Sequence, residues 1–233
     1  MKIALLGYGR MGKSIEAIAL QRHHSISLKV SDVSSDYDFS NTDVAIDFST
    51  PTVAVSNIKK ALDAEVPVIS GTTGWLDQYE EVLAYCNSKN GTFLYASNFS
   101  LSVNIFFEIN QRLSQLMATV DGYSTEIEET HHTQKLDAPS GTAITLAEHI
   151  IKSTNYKNWT LDTPESDEIH IDAKRIENVP GTHAITYNSE IDSIHIKHTA
   201  HSRQGFAMGA VIAAEWIKNK KGVFNMKDVL NIG

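Results

Sequence analysis

The sequence predicts an α/β protein with two domains, the first built on a parallel sheet and the second an α+β domain with a mixed sheet. Three observations support this prediction. The first hundred residues alternate short apolar runs with helical stretches, as in parallel sheets covered by helices. The middle of the chain has several strands with few helices between them, which favours a sheet open on one face. The length of 233 residues is sufficient for two small domains.

The elements of the first domain follow from short apolar runs and amphipathic stretches. Thr50 and Pro51 suit the cap and the first position of its second helix. The apolar runs predict strands at residues 3–6, 26–30, 44–48, 67–70 and 93–96, and the amphipathic stretches predict helices at 11–21, 53–62 and 76–86.

The second domain begins near Asn98, where the pattern changes. Strands are predicted at 125–130, 169–175, 184–187 and 191–197, and one helix at 143–151 carries an apolar stripe. A final helix is predicted at 206–218, with Gly222 as its exit. Periodicity does not assign this last helix to either domain.

Composition excludes several classes of protein. The net charge of -8 argues against a surface that binds a nucleic-acid duplex, which needs a basic excess. The single cysteine, Cys86, excludes an internal disulfide and a zinc site with several thiolates. No apolar run approaches the roughly 18 residues of a membrane span, and the first apolar run is too short for a secretory signal. We therefore expect a soluble, cytoplasmic protein without nucleic-acid or membrane partners.

A glycine-rich turn, GYGRMG at residues 7–12, directly follows the first predicted strand and opens a helix. Gly7 suits a tight turn, Gly9 allows a pyrophosphate to approach the backbone, and Gly12 allows close packing of helix and strand. Arg10 and Met11 then lie at the helix N-terminus, whose free N–H groups attract an anion. This context predicts a Rossmann-type dinucleotide site; the alternative is a glycine turn without a ligand.

Asp32 lies twenty residues after Gly12, at the end of the second predicted strand. An acidic side chain there can accept hydrogen bonds from the ribose hydroxyls of a dinucleotide. Residues 33–35 include no Arg or Lys to neutralise a 2′-phosphate, so NADH is predicted to be preferred over NADPH. Arg10 could still reach a phosphate, and Asp32 could instead be an ordinary turn residue.

A second glycine-containing segment, GTTG at residues 71–74, follows the strand predicted at 67–70. Open α/β folds bind ligands at the carboxyl ends of their strands. Glycines around two hydroxyls suit a nicotinamide carboxamide, although such a segment is as often a plain turn.

The densest polar cluster spans residues 129–142. His131, His132 and Lys135 supply donors whose pKa values can be tuned towards neutrality. The sequence SGT at 140–142 precedes an apolar helix and predicts a carboxylate pocket. Together these groups suggest a small carboxylated substrate that gains a proton; the alternative for each His is a structural role.

Five further histidines could suggest a metal site: His170, His183, His195, His198 and His201. Their spacings match no standard pattern of metal ligands, so no metal is predicted.

These motifs together resemble one family, the bacterial dihydrodipicolinate reductases, also called 4-hydroxy-tetrahydrodipicolinate reductases, of lysine and diaminopimelate synthesis. The resemblance spans nearly the whole chain, and the most specific part is the segment at 129–143. It is carried by GYGRMG at 7–12, DFS at 47–49, GTTG at 71–74, NFS at 98–100, residues 129–143, HTAHSR at 198–203 and DVL at 228–230.

The resemblance implies roles for the site residues. His131 would be the general acid that balances hydride transfer from NAD(P)H, and Lys135 with His132 would engage the substrate. A second substrate carboxylate would be bound by Ser140, Gly141 and Thr142. The cofactor would be held by Gly7, Gly9, Arg10, Met11, Gly12, Asp32, Gly71, Thr72, Thr73, Ala96, Asn98 and Phe99.

The resemblance also implies the domain organisation and assembly. Residues 1–98 and 204–233 would form the dinucleotide-binding domain, and residues 99–203 the substrate-binding and oligomerisation domain of a homotetramer. Two alternative functions are a non-catalytic NADH-sensing protein and a reductase of another small dicarboxylate imine.

Overall fold

A computed structural model describes residues 1–31 and 37–232 of the chain. The chain divides into two compact units, Met1–Leu101 with Gln204–Gly233, and Ser102–Arg203. Within the described ranges, no helix is both long enough and apolar enough to span a bilayer.

The first unit contains a six-stranded parallel sheet. Its strands are β1 (Lys2–Leu6), β2 (Ser25–Val30), β3 (Val44–Asp47), β4 (Val68–Ser70), β5 (Thr92–Tyr95) and β11 (Gly222–Phe224). Their order across the sheet is β11-β5-β4-β3-β1-β2. Its helices are α1 (Arg10–Gln21), α2 (Pro51–Asp63), α3 (Tyr79–Ser88), α6 (Gln204–Ile217) and α7 (Met226–Leu230), with a 3-10 turn at Leu76–Gln78.

Alternate residues of β1 belong to two different apolar cores, one on each face of the sheet. Ile3 and Leu5 pack in the core that contains α1 and α6, whereas Ala4 and Leu6 pack in the core that contains α2 and α3. A strand buried on both faces has a continuous apolar sequence, which explains the KIALL run.

The strand order reverses at β1, which lies between β2 and β3. The chain crosses from one side of β1 to the other between these two strands. Parallel α/β sheets bind ligands at such a switch point, outside the carboxyl ends of the strands. The segments that follow β1 and β3 therefore lie where a ligand is expected.

The second unit contains a five-stranded mixed sheet and two helices. The elements are α4 (Leu101–Met117), β6 (Ser124–His131), α5 (Gly141–Ser153), β7 (Asn158–Thr160), β8 (Glu168–Arg175), β9 (Gly181–Asn188) and β10 (Ser193–Ala200). The strand order is β10-β9-β6-β8-β7, and β6 pairs antiparallel with β9 and parallel with β8. The helices contribute to a core with the isoleucines of one sheet face. The predicted fold class is confirmed.

Helix α4 is the largest element that the sequence analysis missed. Its apolar residues do not form one stripe, since Ile105, Ile109 and Leu116 are exposed while Val103 and Phe106 are buried. A single-face periodicity is therefore weak in this segment. The short elements β7, β11 and α7 were also missed.

The predicted helix exit at Gly222 is wrong. Helix α6 ends at Ile217, and Gly222 is the first residue of β11, with a φ of +121°. Its N–H donates to the carbonyl of Gly91 at 2.9 Å, as part of the strand pairing with β5. Tertiary pairing thus decides the role of this glycine.

Candidate functional site

The glycine turn after β1 has a geometry that only glycine fits. Gly7 has a φ of +97°, and a Cβ there would stand 2.1 Å from the carbonyl oxygen of Phe48. The N–H groups of Gly7 and Tyr8 both donate to the carbonyl of Val30 at 3.0 Å. A Cβ on Gly12 would stand 2.3 Å from the carbonyl oxygen of Gly7. The turn therefore brings α1 close to the ends of β1 and β3.

Gly9 is the N-cap of α1, and a Cβ there would meet no atom within 4 Å among the described residues other than its chain neighbours. Gly9 supplies no side-chain cap to this helix, whose first turn contains no acidic residue. The first N–H groups of a helix lack intrahelical partners and favour an anion. Arg10 is exposed beside them and Met11 is half-buried. The helix N-terminus is thus available to a pyrophosphate.

A cavity of about 210 Å³ adjoins this turn, and it is lined by the glycine turn, the end of β2 and the segment after β3. Val30 and Ser31 are among its lining residues. Asp32, the predicted ribose-binding residue, follows them in sequence but lies outside the described residues. The cavity is smaller than typical pockets for whole ligands, so it suits one part of a dinucleotide.

A buried carboxylate, that of Asp47, organises the two loops beside this cavity. It accepts hydrogen bonds from Ser49 Oγ at 2.6 Å and Asn57 Nδ2 at 3.0 Å. It also accepts from Ser70 Oγ at 2.9 Å and Thr72 Oγ1 at 2.7 Å. Burial raises the pKa of Asp47, and these four hydrogen bonds oppose that effect. Asp47 therefore ties the loop after β3 to the loop after β4.

The two threonines of the GTTG segment are placed differently. Thr72 is buried, and its hydroxyl donates to Asp47 and accepts from the N–H of Ser49 at 2.9 Å. Thr73 is exposed. A Cβ on Gly71 would stand 2.3 Å from the ring of Phe48, so this glycine permits close packing. The Thr72 side chain thus supports the loop, and the Thr73 side chain faces solvent.

The predicted nicotinamide segment at 96–99 is held by one backbone hydrogen bond and by two of its side chains. Phe99 is buried, with its ring centroid 5.6 Å from that of Phe48. The N–H of Ala96 donates to the carbonyl of Ser70 at 3.2 Å. Asn98 accepts a hydrogen bond from the N–H of Ser100 at 2.9 Å, through its Oδ1 atom. The ring of Phe99 is therefore a core residue rather than an exposed ligand contact.

The second unit builds a polar cluster from the register of three strands. Glu129 and His131 alternate on β6 and therefore share one face of the sheet. The register places His183 of β9 opposite Glu129, and Arg175 of β8 opposite His131. Two residues before Glu129 on β6, the same face is apolar, because Ile127 lies opposite Ile171 of β8 and Ile185 of β9. The buried face thus changes from apolar to ionisable at the end of β6.

Glu129 is the centre of this cluster and is fully buried. Both of its oxygens accept from the N–H of Ser140 at 3.1 Å, and Oε1 also accepts from Arg175 at 3.2 Å. Oε2 lies 3.5 Å from His131 Nδ1 and 3.7 Å from His183 Nε2. Burial alone would raise the pKa of Glu129, but the neighbouring His183, the hydrogen bonds from Ser140 and the electrostatic effect of His131 lower it to about 2.

His131 is only 8% exposed and packs edge-on to His183, with ring centroids 5.0 Å apart. Burial lowers the pKa of His131 to about 4, helped by the charges of His183, Lys135 and Arg175 and opposed by Glu129. The imidazole is consequently neutral near pH 7 in the unliganded protein.

The N-terminus of α5 lies against this cluster. Ser140 is its N-cap, and its Oγ accepts from the N–H of Ala143 and contacts His183 Nε2, both at 3.2 Å. Because Ser140 caps the third helical position, the N–H groups of Gly141 and Thr142 remain for a carboxylate. The Ser140 hydroxyl thus caps the helix and contacts His183, and its predicted binding of a substrate carboxylate stays a prediction.

Lys135 and His132 both have partners within the unit. Lys135 forms an ion pair with Asp137, with Nζ–O distances of 2.7 and 2.8 Å. His132 is half-buried, and its Nε2 lies 3.2 Å from a guanidinium nitrogen of Arg203. Lys135 adds positive charge close to the N-terminus of α5 in sequence.

Ligand atoms of Glu129, His131 and His183 lie within 4.8 Å of one another, a spacing that could hold a metal ion. The carboxylate of Glu129, however, already accepts two N–H contacts from Ser140 and an ion pair from Arg175. The guanidinium supplies the positive charge that a cation would supply and would repel one. We therefore interpret the cluster as an ion-pair network and assign no metal to it.

Several residues of the site were not assigned roles by the sequence analysis. Glu129 could have been found from its position two residues before His131 in a predicted strand. The contributions of His183, Arg175 and Gly181 depend on strand register, which the sequence did not reveal. Asp47 was noted as part of a motif, but its four hydrogen bonds required the tertiary structure.

The fold and the polar cluster together define a class of protein. The parallel sheet with its glycine turn and switch point is a Rossmann-type dinucleotide-binding fold, and the second unit carries a buried acid–base cluster beside an anion-binding helix N-terminus. Such a combination is typical of oxidoreductases that use nicotinamide cofactors.

Comparison with known proteins gives the particular family. Residues 1–99 match the family model described as "Dihydrodipicolinate reductase, N-terminus", and residues 102–230 match "Dihydrodipicolinate reductase, C-terminus". The chain belongs to the dihydrodipicolinate reductase family.

Relatives agree with this assignment. The 4-hydroxy-tetrahydrodipicolinate reductase of Christiangramia forsetii is 56% identical over 99% of this chain and 98% of that protein. The reductase of the same name from Methanococcoides burtonii is 37% identical over 94% of this chain and 85% of that protein. The dipicolinate-bound dihydrodipicolinate reductase of Paenisporosarcina sp. TG-14 has a similar fold, with a TM-score of 0.75, 21% identity and 97% coverage of both chains.

Proposed function

We propose that this protein reduces 4-hydroxy-tetrahydrodipicolinate to tetrahydrodipicolinate with NAD(P)H, in the synthesis of lysine and diaminopimelate. The reaction consumes one NAD(P)H and one proton and releases NAD(P)⁺ and water. The observation that carries the proposal is the buried His131, which lies in one cluster with the N-terminus of α5. Similarity to curated reductases over nearly the whole chain supports it.

His131 acts as the general acid in this proposal. Its pKa is low in the unliganded protein because it is buried among other positive groups. A substrate with two carboxylates brings negative charge close to the imidazole, which favours the protonated form. His131 is thus charged when the substrate is bound, and it delivers the proton that balances hydride transfer.

The substrate carboxylates are held by two sets of donors. One carboxylate binds the N–H groups of Gly141 and Thr142 at the start of α5, a position that Ser140 fixes as N-cap. Lys135, with His132, engages the substrate from the loop between β6 and α5. Lys135 must exchange its ion pair with Asp137 for the substrate, and because that aspartate is exposed the exchange costs little.

The cofactor is held by the first unit. The pyrophosphate lies at the N-terminus of α1 beside Gly9, with Arg10 and Met11 at its first positions and Gly7 and Gly12 setting the turn. Asp32 accepts from the adenosine ribose, and NADH is preferred over NADPH. The nicotinamide contacts the backbone of Gly71, Ala96, Asn98 and Phe99 and the hydroxyl of Thr73, while Thr72 holds the loop through Asp47.

We also propose that the protein is a homotetramer assembled through the mixed sheet and that it acts in the cytoplasm, where its free Cys86 stays reduced. Strand β10 is the last strand of that sheet, and it exposes 40% of Ile194. Light scattering with size-exclusion chromatography is expected to give four times the chain mass. An Ile194→Glu variant is expected to give smaller species, and a monomeric wild type would contradict the assembly.

The test of the activity measures NADH oxidation with enzymatically generated substrate. The wild type is expected to turn over, and His131→Gln is expected to lower kcat by about a hundredfold, since general acids supply roughly 10² to 10⁴. His23→Gln, at an exposed turn of the first unit, is the matched control and should retain wild-type kcat. No turnover by the wild type, or full activity of His131→Gln, would refute the proposal.

The two alternative functions predict different results. A non-catalytic NADH sensor would bind NADH tightly without turnover. A reductase of another dicarboxylate imine would turn over its own substrate and resist competition by pyridine-2,6-dicarboxylate. Competitive inhibition by that compound, together with turnover, favours the proposed substrate.

A further inference from the structure

We infer that Glu129 and His183 are positioning residues for His131: the buried carboxylate holds the Nδ1–H of His131, which leaves Nε2 as the nitrogen that donates the proton. This inference rests on the proposed function, in which His131 is the general acid. It concerns how the protein selects the tautomer and the charge of that imidazole.

The Nδ1 atom of His131 is buried and has no hydrogen-bond partner among the described residues. The distance from Nδ1 to Oε2 is 3.5 Å, longer than a hydrogen bond and short enough to become one after a small rotation of the ring. Catalytic hydrogen bonds are often long in unliganded proteins and shorten when the substrate binds.

The edge of the His131 ring opposite Nδ1 lies beside Gly181. A Cβ on Gly181 would stand 3.2 Å from Nε2 of His131 and 3.3 Å from its Cδ2 atom. Gly181 is not among the glycines with positive φ, so its backbone conformation does not require glycine. The absence of a side chain instead gives the ring room at its Nε2 edge.

His183 links the carboxylate to the substrate-binding helix. Its Nε2 lies 3.2 Å from Ser140 Oγ and 3.7 Å from Glu129 Oε2, and its ring packs edge-on against that of His131. The N-cap of α5, the carboxylate and the imidazole therefore form one packed group. A carboxylate bound at the start of α5 is in this way coupled to the position of Glu129.

The charge of His131 depends on its ionisable neighbours. Among the described residues these are Glu129 on its own strand, His183 on β9, Arg175 on β8, and Lys135 in the following loop. Of these four, the carboxylate of Glu129 raises the pKa of His131 and so favours the protonated imidazole, whereas the other three lower that pKa. Removal of that negative charge therefore disfavours the acid form of His131.

The experiment uses the full-length protein and measures kcat and KM as functions of pH. Glu129→Gln keeps the shape of the side chain and removes its charge. We expect kcat to fall at least tenfold, the KM for NADH to stay unchanged, and the alkaline limb of the kcat profile to move about one pH unit or more to lower pH. Glu129→Asp keeps the negative charge on a shorter side chain. The alkaline limb of its kcat profile should therefore stay near that of the wild type, while kcat falls.

Glu126→Gln is the matched control, since Glu126 is exposed on the same strand and points to the other face of the sheet. It should retain the wild-type profile. A purely structural role of Glu129 would lower the melting temperature and kcat without moving the alkaline limb, and that result would overturn the inference.

If Glu129→Gln does not fold, Gly181→Ala decides. The added methyl group crowds Nε2, so a lower kcat with an unchanged KM for NADH supports the inference, and a wild-type kcat overturns it. The proposed function fails separately: full activity of His131→Gln would remove His131 as the acid. A low kcat for His131→Gln together with a wild-type profile for Glu129→Gln would refute the positioning role alone.

Discussion

Replacement of Gly9 by alanine separates cofactor binding from folding. In the part of the chain that the structure describes, a Cβ at Gly9 meets no atom within 4 Å beyond its chain neighbours, and the φ of -83° is available to alanine. Glycine is preferred over alanine at an N-cap, so the variant should lose at most about 1 kcal/mol of stability, or about 2 to 4 °C in Tm. The methyl group does occupy the space through which a pyrophosphate approaches the helix N-terminus.

Gly7→Ala provides the comparison, because the same change there acts on the fold. A left-handed backbone costs alanine about 1 to 2 kcal/mol, and its Cβ would stand 2.1 Å from the carbonyl oxygen of Phe48. Relief of that contact requires the backbone of β3 or the turn to move. We expect a total loss of about 3 kcal/mol or more, and a Tm lower by about 6 °C or more.

The assay combines calorimetry of NADH binding with thermal unfolding of the unliganded protein. Gly9→Ala should weaken NADH binding tenfold or more, about 1.4 kcal/mol, at a nearly unchanged Tm. Wild-type affinity in Gly9→Ala would mean that the dinucleotide does not lie on this turn. A wild-type Tm in Gly7→Ala would refute the close approach of Gly7 to Phe48.

Three further predictions concern the same two sites. Asp47→Asn places an amide against four hydrogen-bond donors. We expect the free energy of unfolding, measured by chemical denaturation, to fall by about 2 to 4 kcal/mol, and NADH binding to weaken. Wild-type values would show that the carboxylate does not hold the loops. Asp32→Ala should mainly raise the KM for NADH and reduce the NADH preference in assays with both cofactors; an unchanged ratio would exclude Asp32 from ribose binding. The pKa of His131 is lowered to about 4 in the folded protein, so the unfolded chain binds its proton first and stability should fall as the pH drops from about 6.5 to about 4. The pKa of Glu129, lowered to about 2, extends this loss below about pH 4.5. In His131→Gln the Tm should depend less on pH between 6.5 and 4, and an identical slope would contradict the low pKa.

Much of the fold could be predicted because its signals are local. Strand β1 and helix α1 were recognised from the apolar run and the glycine turn that joins them, and each lies within a residue or two of its prediction. Helix α4 was missed because its apolar residues lie on two faces, so that only packing against the sheet explains it. Gly222 was misread because pairing with β5, remote in sequence, fixes its conformation.

The candidate site divides in the same way. The glycine turn, the His pair, Lys135 and the SGT cap are contiguous in sequence, and their chemistry could be recognised from spacing. The cluster around Glu129 joins residues from β6, β8 and β9, which only the strand register brings together.

The sequence by itself therefore determined the fold class, the glycine turn and the residue types available for proton transfer, because each depends on interactions within a few positions of the chain. Only the tertiary structure decided that Arg175 lies opposite His131, that Thr72 points inwards to Asp47, and that Gly181 leaves space beside an imidazole. The physical reason is that electrostatic interaction and steric clearance act over a few ångströms in space, whereas the groups concerned are up to fifty residues apart in sequence.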